Sequence, residues 1–137
     1  MKILSTIVLF TSCTVSANQT QLVDGNYLRY EGTEFDSLFF PCQSTEVWSL
    51  NGGKAFDTLV DYYRNSRTNP SAEIRTSLML SVSPVDKTEH PGSNIDAIGE
   101  VIAIVSISED ENEIKSCREE SNALKGSGLT LQHQSAF

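Results

Sequence analysis

Three residue types in this chain could do chemistry: cysteine, histidine and clustered carboxylates. The cysteines are Cys13, Cys42 and Cys117. Cys42 and Cys117 stand far apart and neither belongs to a C-x-x-C arrangement, the spacing of redox and zinc sites. In an oxidising compartment such an even pair reads as one structural disulfide; a redox-active pair or a metal site is the functional alternative. A bridge across so long a loop would stabilise a small domain by roughly 4 kcal/mol in the chain-entropy description. The two histidines are His90, beside Pro91, and His133, in a polar tail. Neither accompanies a nucleophile motif such as G-x-S-x-G, so no catalytic residue is assigned and the chain reads as a non-enzyme. Glu109, Asp110, Glu111 and Glu113 form an acidic run without the alternating spacing of a calcium loop, and they read as a solvated turn. The weak metal candidates are His90, with Asp86 and Glu89 nearby, and Asp110 and Glu111. No cofactor is implied.

Which compartment applies is decided at the N-terminus. Met1 and Lys2 precede an apolar run over residues 3–10, followed by Val15-Ser16-Ala17. This is the pattern of a secretory signal over residues 1–17. Leu9-Phe10-Thr11-Ser12-Cys13 also resembles a bacterial lipobox, in which Cys13 would carry lipid. The chain is then exported, either soluble or anchored, and no other run approaches the length needed to span a bilayer. The formal charge is −8. An acidic domain repels phosphate backbones, so nucleic acid is excluded as a partner and a basic protein is permitted.

The elements that would position these groups follow from periodicity. Residues 18–24 read as a flexible lead and residues 25–117 as one domain. Short strands are expected at 26–30, 35–42 and 46–50, with Tyr27 and Tyr30 on opposite faces. Phe56, Leu59, Val60 and Tyr63 make one apolar stripe and predict a helix over 55–66. Ile74, Thr76, Leu78, Leu80 and Val82 alternate with polar residues and predict a long half-buried strand. Residues 95–108 are apolar on both faces and predict a central strand. A last short strand is expected near Cys117, and residues 118–137 read as a polar, disordered tail. The fold class is mainly β with one helix, and an OB-like five-stranded barrel with the helix between strands three and four is the nearest solution. On such a barrel Tyr27, Tyr30 and Trp48 are candidates for a binding face that stacks on its ligand.

Gly25-Asn26-Tyr27-Leu28-Arg29-Tyr30, Phe35, Phe40-Pro41-Cys42, the helix over 55–63, the long alternating strand, residues 102–107 and Cys117 together resemble the C-terminal OB domain of NlpE-type bacterial envelope lipoproteins. The resemblance covers residues 25–117. It implies the OB-like barrel, a Cys42–Cys117 bridge and a bacterial cell-envelope address, periplasmic or outer-membrane. The copper- and redox-linked C-x-x-C domain of that family has no counterpart here, so copper sensing is not implied. The expected function is a non-catalytic, secreted or envelope-anchored binding or scaffold domain that contacts another envelope protein. Two alternatives are an acidic inhibitor of a secreted basic hydrolase such as lysozyme, and a weak metal-binding module.

Overall fold

In the computed structural model, residues 19–31, 35–68 and 73–135 are described, with residues 125–135 as backbone only. The segment read as a signal, with Cys13, lies outside the described residues. Five strands and two α-helices follow in order: β1 (Thr20–Arg29), β2 (Ser37–Pro41), β3 (Trp48–Gly52), α1 (Lys54–Asp61), β4 (Ile74–Pro84), β5 (Ala97–Ser108) and α2 (Glu111–Ser135). A single π-helical turn, Tyr62–Ser66, extends α1. No described helix is long and apolar enough to cross a membrane.

The strands close into a barrel in the order β1-β2-β3-β5-β4. β3 and β5 run parallel, and every other neighbouring pair is antiparallel. Traced around the barrel from Thr20, the pairing passes through Ser81, Glu100 and Asn51. Extending the β2–β3 and β1–β2 registers returns it to β1 at Tyr30, ten residues further on. A stagger that large lets only five strands close around a filled interior. With α1 between β3 and β4, this is the OB-like barrel expected from the sequence.

β4 keeps its alternation, with Ile74, Thr76, Leu78 and Leu80 buried. β5 does not. Leu78 faces Ile104, Leu80 faces Val101 and Ser77 faces Ser106, so Ile102 and Val105 have no partner on β4. Each is a bulge, and each extra residue reverses the alternation beyond it. Ala97 and Val101 are buried, and Ile104 and Ile107 pack against the core, whereas Ile102 and Val105 are 49% and 58% exposed. The two-faced apolar pattern of this strand therefore reflects a shift of phase, not burial on both sides.

α1 seals one end of the interior with the predicted stripe: Leu59, Val60 and Tyr63 are buried and Phe56 packs against the core. Tyr63 meets Tyr27 edge to face at 5.3 Å between ring centroids, and the Arg67 guanidinium lies 3.6 Å from the Tyr63 centroid. Such pairs add directional energy to the area they bury. Gly52, just before the helix, has φ +140° and backbone of Val101 3.0 Å from where a Cβ would stand. Only glycine meets both demands there.

Four expectations at the ends of the domain are corrected. Thr20–Asp24 is not a lead but the first half of β1, paired with Ser81–Ser77. Thr20, Gln21 and Asp24 carry no burial signal, but Val23 packs against the core and the backbone groups complete the β4 ladder. The segment around Cys117 is helix, not strand. Residues 118–135 continue that helix, so the tail read as disordered is α2. The acidic run opens α2 rather than forming a free turn. Asp110 Oδ1 accepts the Asn112 N–H (2.7 Å), and Glu111 and Glu113 occupy the first turn, where negative charge suits the helix dipole.

α2 lies on the outer surface of β1, β2 and β4. Among its described side chains, Ile114 and Cys117 are buried. Cys42 and Cys117 form a disulfide with Cα atoms 4.5 Å apart. Ser121 Oγ lies 3.1 Å from each of the carbonyl oxygens of Pro41 and Cys42, and the Arg75 guanidinium donates to the Glu113 carbonyl (2.9 Å). Among the described side chains of the helix, Ile114, the bridge and these polar ties hold it in place of a continuous apolar stripe.

Candidate functional site

Described residues of the β1–β2 connection, Tyr30 and Phe35, and of the β4–β5 connection, residues 89–95, line one pocket with Leu38 of β2 and Val47. The β4–β5 connection, residues 85–96, is folded on itself. Asp86 Oδ1 accepts the Thr88 N–H (2.8 Å) and its hydroxyl, and these bonds hold the Asp86 carboxyl below its usual range. The Asp86 carbonyl accepts the N–H groups of Glu89 and His90, both at 3.1 Å. Gly92 turns the chain at φ +86°. Lys87 Nζ donates to the Ser93 carbonyl (3.0 Å), and the Asp96 carboxylate and backbone N–H bind the backbone of Val47 at 2.9 and 2.8 Å. The loop is thereby tied to the start of β3.

The opposite wall is built on Arg29. Its guanidinium donates to Glu31, Asp36 and Ser37, and the Tyr30 N–H donates to the Asp36 carbonyl (2.7 Å). Glu31 also accepts two bonds from Arg64, on the π-helical turn after α1. Arg64 first and Arg29 second pull the Glu31 carboxyl down to about 2.

Between these walls lies a cleft of about 790 Å³, floored by Leu38 and Val47 and flanked by Tyr30, Phe35, His90 and Ile95. That volume is within the span of small-ligand sites, roughly 300–1,000 Å³. Besides Tyr30, its titratable lining groups among the described residues are Glu89 and His90. Lysine and arginine take no part in the described lining.

The proposed aromatic face is divided by the structure. Tyr27 is fully buried, with its hydroxyl 2.8 Å from Ser37 Oγ, and burial pushes the phenol up. Trp48 is also in the core, tilted against Phe39 at 5.9 Å, and its ring N–H donates to Glu46 (2.7 Å). Tyr30 alone remains at the surface, 53% exposed, on the wall of the cleft. His90 reaches the same cleft, but Asp110 and Glu111 follow the far end of the β4–β5 hairpin, so the metal candidates do not share one site. No group of three or more potential metal ligands gathers among the described residues. Cys42, just after β2, and Cys117, on α2, form the bridge and are not among the described lining of the cleft.

Phe35, Leu38, Val47 and Ile95 are not among the site residues that the sequence suggests. The available signal was parity: in the run Leu38-Phe39-Phe40, only Phe39 points inward, leaving Leu38 apolar on a face with no core to fill.

The fold and this cleft define a class: a small OB-like barrel whose loops frame an apolar trough over β2 and β3, the surface on which OB folds take extended ligands. Compared with known proteins, the chain matches no family model, no curated protein and no solved structure.

Proposed function

We propose that this domain is a non-catalytic binding module whose cleft receives an extended segment of a partner protein, one that pairs an apolar side chain with basic residues. The carrying observation is the apolar floor of Leu38 and Val47 between two hydrogen-bonded walls, with exposed Tyr30 at the rim. An aromatic residue on a rigid wall gives contact area at low conformational cost. A net charge of −8 steers basic partners toward the domain. The signal-like N-terminus and the resemblance to envelope lipoprotein domains support a partner in the bacterial envelope, with the domain either free or lipid-anchored.

The test uses purified protein and labelled peptides that place leucine or phenylalanine between lysines, with acidic peptides and a chito-oligosaccharide as comparisons. Basic–apolar peptides bind, and Tyr30→Ala weakens them about tenfold while leaving thermal stability unchanged. Binding of the sugar with no peptide binding, or peptide binding indifferent to Tyr30→Ala, overturns the proposal.

The net charge also favours a second reading, inhibition of a basic secreted hydrolase such as lysozyme. Capture of lysozyme that weakens with salt, together with loss of lytic activity, supports it. Absence of capture at low salt rejects it.

A further inference from the structure

The ladder between β1 and β2 stops before β1 does. Its last pair is Gly25 with Pro41, after which the Asp24 carbonyl accepts the Cys42 N–H (3.0 Å). There the chain turns away toward β3, and Cys42 is bridged to Cys117 on α2. β1 reaches back to Thr20, and over this stretch its ladder is with β4 alone. Asp24 at one end and Tyr30 at the other, whose N–H donates to the Asp36 carbonyl, both turn their backbone groups toward β2. These directions alternate along a strand, so the even-numbered residues of β1 face β2 and the odd-numbered ones face β4. Thr20 and Leu22 therefore present N–H and C=O groups on the β2 side, where no described residue pairs with them. A free edge of this kind is a template for another strand.

A cavity of about 440 Å³ lies along this edge. Residues 21–24 line one side of it and residues 41–44 another. Asp24 reaches Cys42 across the same gap, so the unpaired groups of Leu22 open into the cavity. Val23 and Trp48, which belong to the core, give it an apolar inner side. Asp24, Arg75 and Glu120 are its charged groups; Asp24 pairs with Arg75 at 3.7 Å, which leaves the charge of Glu120 on the outer side.

We propose that this edge takes up an extended peptide of a partner protein as one more antiparallel strand, along the line that β2 leaves at Cys42. A peptide backbone supplies donors and acceptors at the spacing of Thr20 and Leu22. The peptide residue opposite Leu22 bonds to it and shares its outward face, where a basic side chain meets Glu120. The residues on either side of it point inward to Val23 and Trp48 and are apolar. A second copy of this chain fits less well. Antiparallel pairing centred on Leu22 would set Thr20 of each copy against Asp24 of the other, and the Asp24 carbonyl is already held by Cys42. This surface is separate from the cleft over β2 and β3 and does not use Tyr30.

The experiment follows backbone amide exchange and chemical shifts of the isotope-labelled full chain by nuclear magnetic resonance. The probe is an acetylated pentapeptide amide that alternates lysine and valine. In the free protein the Leu22 amide exchanges about tenfold or more faster than those of Gln21 and Val23, which face β4. The peptide slows Leu22 and shifts Trp48 saturably, and Tyr30→Ala leaves both responses unchanged. Methylation of the lysine amide nitrogens, which face β1, abolishes binding; methylation of the valine nitrogens, which face away, does not. Leu22→Pro removes the edge N–H without taking a bond from the β4 ladder, so the variant folds and binds about tenfold or more weakly. The methylated peptides give the same answer on unaltered protein. A Leu22 amide already protected in the free protein overturns the proposal, and protection that grows with protein concentration does so in favour of pairing between copies. No saturable shift up to about 10 mM peptide, or equal binding of the two methylated peptides, overturns it as well.

Discussion

The ring of Phe39 occupies the space where a side chain on Gly25 would stand. A Cβ at position 25 would collide with Phe39 Cζ and lie 2.7 and 2.8 Å from its two ε carbons. Phe39 pairs across the strands with Tyr27, so its ring leans diagonally over Gly25 into the core. Gly25→Ala is expected to destabilise by about 1–3 kcal/mol, the usual cost of overpacking. Because the clash is with one ring, Phe39→Leu should relieve part of it. Urea unfolding of both single variants and the double variant checks this: costs that simply add would show that Phe39 is not what excludes the methyl group.

Cys42 and Cys117 are 75 residues apart, and their bridge is the covalent tie between α2 and the barrel. Cys42→Ser should lower stability by about 4 kcal/mol on the loop-closure argument. Reduced wild-type protein should unfold at the same urea concentration as the variant. Amide exchange should rise most over residues 114–121, where little apolar contact remains to hold the helix. Unchanged protection there would mean that the polar ties suffice without the bridge.

Glu31 links the β1–β2 connection to the turn after α1. Its carboxyl falls from 4.5 to about 2, chiefly through Arg64 and then Arg29. A folded value below the unfolded one makes this contribution complete above about 4.5 and progressively lost as the pH falls toward 2. Glu31→Gln should therefore be less stable than wild type above that window and equal to it at the acid end. The gap should shrink with added salt, because the pair is exposed. Parallel stability curves for the two proteins across the window would remove Glu31 as the cause.

The bulges on β5 separate two kinds of aliphatic residue that look alike in the sequence. Ile102 is half exposed while Leu80, across the barrel wall, is fully buried. Ile102→Thr should change stability by less than about 0.5 kcal/mol. Leu80→Ala should cost about 3 kcal/mol through the cavity it leaves. Deleting Ile102 should cost less than Leu80→Ala, since it removes a residue without a partner on β4 and leaves Val101 opposite Leu80 and Ile104 opposite Leu78. Thermal unfolding of the three variants gives the ranking.

Local pattern determined a large part of this protein. The stripe Phe56, Leu59, Val60 and Tyr63 placed α1, and the alternation from Ile74 placed β4, because each buries one face at its own period. The order of strands around one helix pointed to the barrel, and the lone pair of distant cysteines pointed to the bridge. The tertiary structure alone decided the rest. The phase of β5 depends on which residues find partners on β4. Thr20–Asp24 becomes strand because β4 has a ladder to complete. α2 forms on a polar sequence because Cys42, Pro41 and Asn26 meet it from elsewhere in the chain. The period of two puts Tyr27 and Tyr30 on opposite faces, but closure of the barrel decides that Tyr27 is the inward one and that Trp48 joins it. The cleft joins side chains from two loops about sixty residues apart. Periodicity reports only what a segment does with its own faces, whereas partners, bulges and loop walls are set by closure of the barrel, which no single segment contains.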